Sequence, residues 1–76
     1  MDVRSTVYDI VAKAFAVPVE AIRDDMTPAD IDSWDSLAQL SLVLELEQTF
    51  GVAFEPEDAF RIITIESIID IVEEKL

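Results

Sequence analysis

The chain has 76 residues, 51% of them hydrophobic, and its 17 acidic against 5 basic side chains give a net charge of −12. That length is one small domain, expected to fill residues 1–76, and the apolar share is too high for a disordered acidic tail. With no cysteine and no histidine, it has no disulfide, no thiolate or imidazole zinc site, and no Ser-His or Cys-His catalytic pair. Nucleic acid and anionic membrane surfaces, which demand clustered Lys and Arg, are disfavoured as partners, and a protein with a basic patch is favoured. Arg4, Asp9 and Lys13 interrupt the start, so it does not read as a signal peptide. No uncharged run is long enough to span a bilayer. A cytoplasmic monomer is the expectation.

One glycine and three prolines leave little turn punctuation, which favours helices. Val3, Val7, Ile10, Val11, Ala14 and Phe15 fall at helical spacing and predict a first helix over 3–15, ending near Pro18. Residues 16–34 form a long connection with five acids and scattered apolar residues at Val17, Ile22, Met26, Ile31 and Trp34. A connection of that length is often functional, and a short helical turn fits around Glu20–Ile22. Residues 35–50 form the strongest helix, with Asp35 (or Ser33) as N-cap and Gly51 at the C-terminal cap. A short helix is predicted over 55–61, with Pro56 first and Glu57 and Asp58 in the first turn. Thr64 caps a last helix over 65–75, whose stripe is Ile65, Ile68, Ile69, Val72 and Leu76. The fold class is all-α: a small bundle of three main helices and one short one.

The helix over 35–50 has two apolar faces. Leu42, Val43, Leu46 and Phe50 form one stripe wide enough for a bundle core. Leu37, Leu40 and Leu44 form a second, with Glu47 between the two. The long connection covers that second face, with Ile31 and Trp34 packing on it, or the face is an exposed patch that docks a partner; both hold if Leu37 is partly covered and Leu44 more exposed.

Ser36 lies at the start of this helix. Serine is well tolerated there, so a structural role is sufficient on position alone. A hydrolytic role lacks a base, since only Lys13 or Lys75 could pair with it and no motif supports either.

The stretch Asp35-Ser36-Leu37 before a leucine-rich acidic helix resembles the signature of the acyl carrier protein family. The first helix with its KAF ending, Val17-Pro18, the acidic Asp24-Asp25-Met26-Thr27-Pro28, Leu44-Glu45-Leu46-Glu47, Phe50-Gly51-Val52 and the closing IVEEKL extend the resemblance over nearly the whole chain. It implies a carrier, not an enzyme, with 4′-phosphopantetheine on Ser36 and Asp35 as the adjacent motif acid. It implies acyl cargo for fatty-acid, polyketide or related secondary biosynthesis. Its partners would be a phosphopantetheinyl transferase, acyl-activating enzymes or acyltransferases, and synthase enzymes with basic docking surfaces. Leu37, Leu40 and Leu44 would be the apolar partner contacts, with Glu45, Glu47, Glu57 and Asp58 as the acids.

A phosphodiester on Ser36 suits a helix N-terminus, where free N–H groups and the dipole favour an anion. Housekeeping fatty-acid carriers usually have a small residue where Trp34 stands, and a denser acidic run along this helix. That difference points to a specialised, discrete carrier. An aminoacyl or peptidyl carrier and a non-carrier acidic interaction module are the alternatives. The acidic connection also suggests calcium, but no register from Asp24 to Asp32 supplies the glycine and final glutamate of an EF-hand loop.

Overall fold

The computed structural model describes residues 2–76. Helix α1 spans Val3–Phe15, α2 Ser36–Phe50, α3 Pro56–Ala59 and α4 Ile65–Lys75, with one 3-10 turn at Val19–Ala21. The described residues contain no strand, so the expected all-α bundle is the observed architecture. Helix α1 packs on both α2 and α4. Its Val7, Val11 and Phe15, one turn apart, are fully buried together with Leu42 and Leu46 of α2 and Ile65, Ile68, Ile71 and Val72 of α4. Ile71 joins the α4 stripe although the sequence reading omitted it, whereas Leu76, expected in that stripe, is exposed.

Helices α1 and α2 end in the same way. The N–H groups of Ala16 and Val17 both donate to Ala12 O, and those of Gly51 and Val52 both donate to Glu47 O. Each is a Schellman-type end with a left-handed residue after the helix. Gly51 (φ 67°) adopts that conformation without a Cβ, but Ala16 (φ 55°) carries one. Helix α1 therefore stops at this turn, before Pro18.

The long connection contributes to the core rather than covering it. Ile22, Ile31 and Trp34 are buried in the central cluster. Trp34 stacks on Phe15, with ring centroids 5.0 Å apart and planes at 27°, and Ser33 Oγ donates to Phe15 O. Asp24 accepts from Tyr8 and Arg4 of α1. Its carboxyl is held below the usual range, first by the Tyr8 hydroxyl and then by the Arg4 guanidinium, against the opposing effect of burial.

The connection also closes the start of α4. Ile65 N–H donates to Met26 O (3.1 Å) and Glu66 N–H to Asp24 O (2.9 Å). Thr64 N–H donates to Ser67 Oγ (3.0 Å) and Ser67 N–H to Thr64 Oγ1 (3.1 Å). All four N–H groups that a helix start leaves without an intrahelical partner are thus satisfied.

Helix α3 is shorter than the 55–61 expected. After Ala59 the chain tightens, with Arg61 N–H bonded to Asp58 O and Ile62 N–H to Ala59 O. Asp58 is the reason the segment stays in place. It is 5% exposed, and its Oδ2 accepts from Glu55 N–H (2.8 Å) and pairs with Lys75 Nζ (2.9 Å), while Oδ1 pairs with Arg61 (3.3 Å). The Lys75 ammonium, and after it the Glu55 N–H, hold the Asp58 carboxyl below the ordinary range.

Two outcomes follow from these features. Ala16→Gly relieves a left-handed alanine at an exposed site, and stability should rise by about 0.5–1 kcal/mol after the added chain entropy of glycine. A thermal melt with an unchanged or lower Tm would contradict this. The lowered Asp58 pKa contributes stability that is present above its unfolded value near 4 and lost as pH falls through the folded value. The remaining carboxylates repel one another at neutral pH and act in the opposite direction, so the informative quantity is a difference. The Tm gap between the parent protein and Asp58→Asn should be open at about pH 7 and close below about pH 4. A gap constant across that range would show that the ion pairs do not couple to folding.

Candidate attachment site and docking face

Helix α2 starts as the sequence reading expects. Asp35 has extended backbone angles, and its Oδ1 accepts from Ala38 N–H (2.8 Å), making it the N-cap. Asp35 N–H donates to Ser33 O. Of the four starting N–H groups, those of Ser36 and Leu37 have no acceptor among the described residues. Ser33, the other capping candidate, bonds the end of α1 instead. The contrast with α4 is local: a loop supplies carbonyls to the first two helical N–H groups there, and to neither of them here. Ser36 is exposed, and its hydroxyl makes no hydrogen bond within the described protein. Lys75, one of the two lysines that could pair with Ser36, is held by Asp58 instead.

The exposed position, the unpartnered hydroxyl and the two free N–H groups fit an O-linked phosphate at this serine. A groove of about 690 Å³ adjoins it, lined by Asp35 and Ser36 together with Trp34, Gln39, Leu40, Phe54 and others. The Trp34 indole Nε1–H donates to Gln39 Oε1 (3.0 Å), which ties the connection to the first turn of α2. Trp34 was legible as an anchor, whereas Gln39 was not: a glutamine on an amphipathic helix carries no signal until its partner is known.

The second apolar face of α2 is open. Leu37, Leu40 and Leu44 are 73%, 56% and 50% exposed. Ile31 and Trp34 go beneath the helix to the core instead of covering these leucines, because Phe15 offers Trp34 a stacking partner. Exposure falls from Leu37 to Leu44, the reverse of the order expected. Glu57 is exposed and Glu45 half-buried. Glu47 accepts from Phe54 N–H through Oε2 (2.7 Å), fastening the chain after α2. Asp58 is not a surface acid. Its burial and its two ion pairs remove it from the docking set, because the Glu55 N–H and Lys75 occupy Oδ2 and Arg61 occupies Oδ1.

Four of the five basic side chains are tied to acids within the fold: Arg4 to Asp24, Arg23 to Asp25, Arg61 to Asp58 and Glu74, and Lys75 to Asp58. Helix α2 has no basic residue, so its field is that of uncompensated carboxylates. Among the described residues, no group of three or more His, Cys, Asp and Glu side chains is arranged to hold a metal ion. Among the same residues, no helix is long and apolar enough to cross a membrane.

Comparison with known proteins agrees with this geometry. Residues 5–72 match the family described as the phosphopantetheine attachment site. The acyl carrier protein of Chloroherpeton thalassium is 35% identical over 97% of this chain and 92% of its own length. That of Chlorobium luteolum is 34% identical over 97% and 95%. The fold matches the solution NMR structure of holo acyl carrier protein from Geobacter metallireducens with a TM-score of 0.86, at 23% identity, over 99% of this chain and 86% of that one. Helix order, the open start of α2 and these matches lead to one conclusion: the chain belongs to the acyl carrier protein family, carriers rather than enzymes, whose prosthetic group is 4′-phosphopantetheine.

Proposed function

We propose that Ser36 is the residue that carries the phosphopantetheine, and that residues 1–76 act as one carrier domain. The observation that carries this reading is the start of α2: an exposed, unpartnered hydroxyl beside two free N–H groups, with Asp35 already serving as the cap. Because Asp35 holds the helix, Ser36 is released from any structural duty. When bound, the group supplies a thiol that holds acyl cargo as a thioester. The chain's own residues would position that arm: the free Ser36 and Leu37 N–H groups would offer donors to the phosphate's negative charge, while Asp35 caps the turn. The protein itself needs no acid, base or nucleophile, in keeping with the lack of histidine and cysteine.

Proteins of this family work with synthase and transferase enzymes. The docking surface proposed for this chain is the open face of Leu37, Leu40 and Leu44, flanked by Glu45, Glu47 and Glu57. Each exposed ion pair is worth only about 0–1 kcal/mol, so the acids govern encounter rate and the leucines affinity. The partners that fit are a phosphopantetheinyl transferase, acyl-activating enzymes or acyltransferases, and synthases with basic surfaces. A specialised pathway in the cytoplasm is favoured over housekeeping fatty-acid synthesis. Trp34 supports this, because a large indole bonded to Gln39 gives the surroundings of Ser36 a character of their own.

Incubation with coenzyme A and a broad-specificity phosphopantetheinyl transferase, followed by intact-mass measurement, tests both parts. One phosphopantetheine should be added to the parent and none to Ser36→Ala. Leu40→Ala should keep its stability within about 0.5 kcal/mol of the parent yet load several-fold more slowly. Unmodified parent protein, or modified Ser36→Ala, would refute the attachment site. An unchanged Leu40→Ala rate would refute the docking face for that partner.

A further inference from the structure

The groove beside Ser36 contains one polar side chain whose hydrogen bonding is half complete. The Trp34 indole nitrogen can only donate, so the Gln39 atom 3.0 Å from it is the carbonyl oxygen. The Gln39 amide group therefore keeps both N–H donors, and these have no acceptor among the described residues. No unpartnered side-chain nitrogen or oxygen is sealed from solvent among them, so the Gln39 nitrogen remains accessible. Gln39 lines the groove with Trp34, Leu40, Val43 and Phe54, which makes it a fixed donor set in a largely apolar wall. It also stands one helical turn from Ser36, on the same side of α2. The Trp34–Phe15 stack fixes the indole, and the indole fixes the amide.

A saturated acyl chain laid along this wall would cover the Gln39 donors without meeting them. Covering an unpaired amide is unfavourable, whereas an acceptor on the chain would replace the lost water. We propose that Gln39, oriented by Trp34, makes the groove selective for acyl cargo bearing a carbonyl or hydroxyl near the thioester end, such as 3-oxo or 3-hydroxy groups, over plain saturated chains of equal length. This inference rests on phosphopantetheine attachment at Ser36. One hydrogen bond of ordinary net strength corresponds to about fivefold in groove occupancy.

The test loads the protein with non-hydrolysable hexanoyl and 3-oxohexanoyl pantetheine analogues and, as reference, with the unacylated arm. Intact mass first establishes loading, and absence of loading would count against the attachment reading alone. The Gln39 side-chain amide resonances are then followed by NMR, and the fluorescence of the single tryptophan reports groove occupancy. The 3-oxohexanoyl form should shift the Gln39 amide and change Trp34 emission more than the hexanoyl form does. Gln39→Glu retains an acceptor for the Trp34 indole but removes the N–H donors. It should keep the Trp34–Phe15 stack, seen in the unmodified protein's spectrum, and abolish the preference. Gln39→Met, of similar volume, should also abolish it. Equal responses to the two cargos would overturn the proposal. So would a full Gln39 shift with the unacylated arm alone, or a preference that persists in Gln39→Glu.

Discussion

The stack of Trp34 on Phe15 is the contact on which the functional end of the molecule depends. An offset aromatic pair adds about 0.5–1.5 kcal/mol beyond the area it buries, but its larger effect is positional. It fixes the last residue of a long connection beneath the start of α2, so that Asp35 arrives in the extended conformation a cap requires. With Ile22 and Ile31 also buried, the connection is fastened at several points along its length. That is how an irregular segment can hold its backbone in a defined place without regular structure of its own.

The pinned connection treats two helix starts in opposite ways. At α4 it presents the Asp24 and Met26 carbonyls, and every starting N–H group there is satisfied. At α2 the Ser33 carbonyl takes the Asp35 N–H and the Asp35 side chain takes the Ala38 N–H, and the Ser36 and Leu37 N–H groups stay free. The charge distribution follows the same division. Cations are used inside the fold, to tie α1 to the connection and α3 to α4, while α2 shows leucines and acids to its surroundings. A carrier needs little more: a rigid handle, an open attachment point, and a face by which other enzymes recognise it.

The sequence made the helices legible because their apolar residues recur at helical spacing and because Asp35, Thr64, Pro56 and Gly51 are strong end signals. Where a helix end lacks such a residue, the signal disappears. Ala16 occupies the same left-handed position as Gly51, and nothing in its identity announces it. The two faces of α2 were visible, but which face stays open depends on where Trp34 finds its stacking partner, a contact 19 positions away in sequence. Asp58 looked like a first-turn surface acid. Its burial depends on Arg61 and Lys75 converging from two other segments. The Asp24 and Met26 carbonyls that close α4 belong to the backbone, so no residue pattern could reveal them.

Native-state amide hydrogen exchange measures the opposed treatment of the two helix starts directly, since exchange reports whether each N–H is held. Ile65 and Glu66 should exchange at least about a hundredfold more slowly than Ser36 and Leu37, with Ala38, held by Asp35, intermediate. Equal protection at Ser36, Leu37, Ile65 and Glu66 would show that the connection does not distinguish the two starts. The account of an attachment point left open by a pinned loop would then fail.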